Sequence, residues 1–430
     1  MNMKRYLSFV IALVLCLSLA ACGKTPAETE TTVPATESVE VTEPAAEDPV
    51  LTARREQVLE KMRSMQTIYW QVEEPIKYTK NNDSDGIESD PTNEVMLLEP
   101  GRIYQGIPYT HASGSEEAFL DYAVSQDERG VYTIAGLETS DLSGNDGRSS
   151  VYYPRIGNDC ADAVFWAWAT VANSIDFTMS YYMTEAHGCI PVGEYKTEYE
   201  EYTDTVAICE ENGLDVICEA YSQLRPGDAV VKGREGGHAM MVSEVCVVRN
   251  PDGTIDSMNS YLKVVDQTSG DLFGGKTKYD ETLQTDVYYC GGVDRTSYFY
   301  KLFSKGYVPV TIKELIDPTP LEEEYAEMTN TELSLENLYA GNIKSNRRIS
   351  LVRITITDGN GEEVQTVTCY GREAEMYDFV LDRFTWETEQ DSLQGGLDLD
   401  ALPAGSYTVT YTCTIATKQT FTVGSFTFEK

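Results

Sequence analysis

The sequence predicts an α+β domain followed by an all-β sandwich. Three observations lead there. Two apolar segments at helical spacing begin near Thr52 and at Cys160, and turn-separated strand-like runs fill 225–270. Beyond a Pro- and Glu-rich break at 316–327, only short strand-like runs remain.

The first 22 residues read as an address. Lys4 and Arg5 precede the apolar run "YLSFVIALVLCLSLA", and small residues lead to Cys22. The string "LAAC" resembles the lipobox of bacterial lipoproteins, which implies cleavage and a lipid on Cys22. The expected location is therefore extracytoplasmic, anchored to the bacterial membrane by acyl chains. Residues 23–50 are Thr, Glu, Pro and Ala with almost nothing large, a composition that predicts a disordered spacer. A formal charge of -37 over 430 residues argues against nucleic acid and against a polybasic contact with anionic lipid.

The first domain, 51–318, opens with a helix from Thr52. Val58, Leu59, Met62, Met65 and Ile68 form its apolar stripe, which reads as core. From about 95 to 155 the chain is expected to be loop-rich, with "GIPYTHASGS" and "TSDLSGNDGRSS" as turn chemistry. The next helix starts at Cys160, with Asn158 and Asp159 as N-cap types and Val164, Ala167, Trp168 and Val171 on the packed face. A helical, acidic interval runs to about 222. "DAVVK", "HAMMVSEVCVV" and "SYLKVVDQT" then read as three strands, the last two joined by a "NPDG" hairpin.

The second domain, 331–430, is expected to be an Ig-like sandwich that folds separately, with no histidine and no acid/base cluster. Of ten cysteines, Cys16 leaves with the leader and Cys22 takes the lipid. The other eight contain no CxxC pair and read mostly as buried thiols, with Cys369 and Cys413 the candidate disulfide inside the last domain.

Only three histidines exist: His111, His187 and His238. A cysteine nucleophile needs a nearby base, and a helix N-terminus favours its thiolate. Cys160 has the helix position, and His238 begins a strand after "REGG". Asp266 and Gln267, adjacent on the returning strand, point to opposite faces, so one of them orients the imidazole. Asp266 is the better acceptor and Gln267 its rival. His187 and Cys189 in "EAHGCIPVG" lie too close together to converge and read as loop packing. Nothing calls for a metal or a cofactor.

In order, "GNDCADAVFWAW", "LRPGDAVV", "GHAMMVSEV" and "KVVDQTSG" resemble the papain-like peptidoglycan hydrolases, the NlpC/P60 and CHAP group. The resemblance covers roughly residues 100–270. It implies a papain-like α+β catalytic domain with Cys160 as nucleophile, His238 as base and Asp266 as orienter. "GIPYTHASG" resembles the "PYxxGG" ahead of the nucleophile, and Tyr109, Tyr153 and Gln267 are the secondary, substrate-binding or oxyanion candidates. Ala161 stands where the family often has serine. The function expected is cleavage of amide bonds in cell-wall peptidoglycan peptides. The alternatives are another thiol amidase or acyl-transfer enzyme on the same fold, or a surface lipoprotein that binds without catalysis.

Overall fold

A computed structural model describes residues 48–79, 95–110, 113–137, 156–172, 175, 183–197, 204–233, 237–268, 272, 275–330, 332–371, 377–385 and 397–430. The expectations for Cys22, the leader, the spacer up to residue 47, His111 and Tyr153 lie outside these residues.

Helix α1 (Pro49–Thr67) starts three residues earlier than its stripe implies, inside the segment expected to be spacer. Asp48 caps it, accepting from the Val50 N–H at 2.8 Å, and Pro49 takes the first helical position, where no N–H is required. Then come β1 (Tyr69–Val72), β2 (Ile76–Thr79), β3 (Val95–Leu98) and β4 (Ile103–Gln105). Helix α2 (Glu116–Leu120), β5 (Ala123–Gln126) and β6 (Tyr132–Ile134) follow. The stretch expected to be loop-rich thus carries five elements. Its strands are three or four residues long, too short to show a period of two.

Helix α3 (Cys160–Trp168) is buried on every side, not on one face as expected, because it packs against α1 and the central sheet. After it come β7 (Cys189–Pro191), α4 (Thr205–Asn212), α5 (Leu214–Tyr221), β8 (Ala229–Lys232), β9 (His238–Cys246) and β10 (Tyr261–Asp266). The part closes with β11 (Thr277–Asp280), β12 (Thr285–Tyr289), β13 (Gly292–Tyr298), α6 (Phe299–Ser304) and β14 (Val308–Ile312). Two six-stranded sheets result, ordered β11-β12-β4-β1-β6-β5 and β13-β10-β9-β8-β14-β7. The second carries the candidate site. In it β8, β9, β10 and β13 run antiparallel in turn, so β9 and β10 are both interior strands.

The C-terminal strands are β15 (Ala326–Met328), β16 (Asn342–Ser345), β17 (Ile349–Asp358), β18 (Glu363–Tyr370), β19 (Asp378–Val380), β20 (Ser406–Ile415) and β21 (Thr420–Glu429). They form sheets ordered β15-β16-β19 and β18-β17-β20-β21, which share one core built from Ile343 and Phe379 on one side and Val352, Ile354, Val409 and Tyr411 on the other. Pairing already begins at Ala326, ahead of the boundary expected at 331. Cys369 and Cys413 both lie opposite Val352, on strands flanking β17. Two strand spacings, about 10 Å, separate them, beyond the reach of a disulfide. None of the eight described cysteines is in a disulfide among the described residues.

The C-terminal sheets do not stand apart. The described residues belong to one compact unit. The Lys418 ammonium donates to Glu116 of α2 at 2.8 Å, Tyr370 OH to Asp121 at 3.1 Å, and Arg353 pairs with the same Asp121. Arg348 is fully buried. Its guanidinium lies 3.8 Å over the Trp166 ring and 4.2 Å over Phe165, and its Nη1 is 4.0 Å from Asp162 Oδ1.

Candidate active site

The chain before Cys160 is held by backbone geometry. Gly157 has φ +92°, and a Cβ there would sit 2.3 Å from the Pro108 carbonyl. That close approach lets Asn158 pair with Tyr109 in a parallel bridge, with Asn158 N–H donating to Pro108 O at 3.2 Å and Thr110 N–H to Asn158 O at 3.2 Å. Asp159 then caps α3, its Oδ1 accepting from the Ala161 and Asp162 N–H groups at 2.8 and 2.9 Å. Cys160 is therefore the first helical residue, and its side chain is 4% exposed. At this position the side chain meets the positive end of the helix dipole.

His238 opens β9 close enough to Cys160 for the two to interact electrostatically. Its Nε2 is 3.4 Å from Asp266 Oδ2, a long contact for a hydrogen bond. The sheet register explains the pairing. Val265 faces Met241 across the ladder, so Asp266 shares a sheet face with Met240 and His238 and reaches the latter diagonally. Gln267 falls on the opposite face, where its Nε2 donates to Ile107 O at 2.8 Å. Of the two rivals, Asp266 approaches His238.

Burial opposes a charged His238, but the Cys160 sulfur and the Asp266 carboxylate outweigh it and raise the imidazole to about 10. Tyr109 stands near the thiol, and its phenol is raised by burial and then by Cys160 and Asp159. Tyr78 OH donates to the Tyr109 carbonyl and fixes that strand edge.

Sequence reading missed Tyr307, whose ring meets His238 edge-on with centroids 6.4 Å apart. Its phenol is raised by burial and then by Cys160 and Asp266. It also missed Arg295, whose Nε lies 3.6 Å from Asp266 Oδ1. Nothing in "KGYVPV" points to Tyr307, whereas "CGGVDR" carries a glycine pair that marks backbone irregularity beside Arg295. Asp228 of the "PGD" turn is structural: fully buried, it accepts from Arg55 at 2.7 Å and Thr311 at 2.5 Å. Cys189 is a buried thiol on β7, and His187 lies in the short turn before it, at the sheet edge three strands from β9. Among the described residues no group of three or more His, Cys, Asp or Glu side chains is placed to hold a metal ion.

The arrangement supplies a thiol, a base beside it, a carboxylate 3.4 Å from the base's Nε2 and a phenol near the sulfur. Chemically it can form a thiolate–imidazolium pair. No protein-family model matches this chain, and no curated protein matches it significantly.

Proposed function

We propose that this chain is a cysteine hydrolase of papain-like, NlpC/P60 type that cleaves amide bonds in cell-wall peptidoglycan peptides outside the cytoplasm, tethered by a lipid on Cys22. The observation that supports it best is the Cys160–His238–Asp266 constellation, with the sulfur at a helix start and the carboxylate 3.4 Å from the imidazole Nε2. The Cys160 thiolate attacks the substrate carbonyl carbon. His238 then passes its proton to the departing amine, leaving a thioester. Water, deprotonated by His238, releases the acid and regenerates the thiol pair. The Cys160 backbone N–H, at the helix start, helps stabilise the oxyanion, and Asp266 keeps the imidazole oriented. The C-terminal sandwich, taken as Ig-like, contributes no reacting group.

The test is digestion of purified peptidoglycan with the soluble protein, followed by mass spectrometry. Each cut should add one water across one type of amide bond, and Cys160→Ala should release nothing. Products in which an added amine replaces water identify acyl transfer. Tight binding to the cell wall without any new terminus identifies the binding alternative, and either result sinks the hydrolase reading.

A further inference from the structure

We propose that Arg295 is a positioning residue of this centre: a β-bulge aims its guanidinium at Asp266 Oδ1, so that Oδ2 is held toward His238. The inference rests on the reading of Cys160 and His238 as a reactive pair. It adds a fourth member that neither strand pattern nor motif reveals.

The bulge is explicit in the ladder. Val264 pairs with Arg295 and Asp266 with Gly292, so two steps along β10 oppose three along β13. The extra residue is absorbed at Asp294, one of few non-glycine residues here with positive φ, at +54°. Aspartate tolerates this left-handed conformation better than most residues, and bulges beside functional sites re-aim side chains. Asp294 is tied down on both sides, accepting from Ser243 Oγ at 2.6 Å and from Arg63 Nη2 at 2.9 Å.

The bulge turns Arg295 back along its own strand. Its Nη2 donates to the Gly291 carbonyl at 2.9 Å, and its Nε reaches 3.6 Å from Asp266 Oδ1. Gly292 makes the passage possible, since a Cβ there would sit 1.9 Å from Arg295 Nε. Asp266 Oδ1 is buried and accepts no hydrogen bond among the described residues, so the nearby guanidinium is its counter-charge. A carboxylate with one oxygen facing a cation and the other facing the imidazole has little freedom to rotate. Other titratable groups facing this set are Tyr109, Asp159 and Asp162 around the thiol, Tyr307 beside His238 and Asp266, and Lys278 beside Arg295.

The consequence concerns where in pH the Cys160 thiolate appears. Losing the Arg295 cation weakens the field that favours the thiolate, and a freer Asp266 holds the imidazolium less well. Both effects push the onset of thiolate upward. The experiment is the rate of Cys160 alkylation by iodoacetamide from pH 4 to 10, read by peptide mass spectrometry on the purified full chain.

In Arg295→Met the acid limb should move up by about one pH unit, with an unchanged plateau. Arg295→Lys, which restores charge without the second hydrogen bond, should recover part of the shift. Gly292→Ala, which leaves the arginine present but displaced, should match Arg295→Met. A displaced wild-type profile on which the Arg295→Met profile superimposes overturns the assignment and leaves the hydrolase reading standing. A wild-type Cys160 that titrates like a free thiol overturns both.

Discussion

Arg348 provides the sharpest energetic test, because it belongs to the C-terminal part yet sits against the helix that bears Cys160. Arg348→Met removes a fully buried guanidinium whose Nη1 lies 4.0 Å from Asp162 Oδ1. Unit charges 4.0 Å apart attract by about 4 kcal/mol at an effective dielectric of about 20. Breaking a buried pair by removing one partner costs about 3–5 kcal/mol, since the other charge stays buried. The two routes agree, so Arg348→Met should lose about 4 kcal/mol of stability. Methionine still covers the Phe165 and Trp166 rings, and Arg348→Met combined with Asp162→Asn should therefore recover most of that loss. Urea unfolding followed by tryptophan fluorescence reads the change, because Trp166 and Trp168 lie in α3 itself. A loss below about 1 kcal/mol in the single variant, or a double variant as weak as the sum of its parts, refutes the coupling.

Other expectations follow from the site. His238→Ala should slow turnover nearly as much as Cys160→Ala because paired groups act as a unit, and Asp266→Asn should slow it less; the order is read from kcat on a soluble peptide amide. The His238 value of about 10 lies above that of an unfolded histidine, about 6.5. Its stabilisation is therefore complete below about pH 6.5 and is lost as pH rises toward 10. The unfolding free-energy difference between wild type and His238→Gln should shrink across that window, and a flat difference refutes a charged imidazole. Gly157→Ala meets both a left-handed φ and the Pro108 carbonyl, so it should cost about 2 kcal/mol or more and slow Cys160 alkylation.

What was legible in the sequence was local. Cys160 at a helix start follows from Asp159 and the apolar run after it, and strands β9 and β10 follow from apolar runs bounded by turns. The choice between Asp266 and Gln267 was not readable, because it depends on the register of β10 against β9. Arg295 escaped because a bulge breaks the alternation by which a strand is read. Arg348 escaped because its partners, Asp162 and Trp166, lie far back in sequence. The error about Cys369 and Cys413 has the same origin: both are inward-facing strand residues, and composition does not show that β17 runs between them. Short strands such as β4 and β6 were hidden by Gly- and Ser-rich neighbours.

The strap between the two parts is exposed around Pro318–Pro320 but clasped from beneath. Arg54 donates to the carbonyls of Glu314 and Asp317 at 2.9 and 2.7 Å and to Thr319 at 2.5 Å, while Arg55 donates to Leu315 at 2.8 Å. A glutamate-specific protease meets Glu322 and Glu323 there. Cutting the backbone at that point would sever the covalent thread and leave the clasp, the Arg348 contact and the Lys418–Glu116 pair in place. The nicked protein should elute as one particle on native gel filtration and as two bands after denaturation. Its fragments would then be a complementing pair.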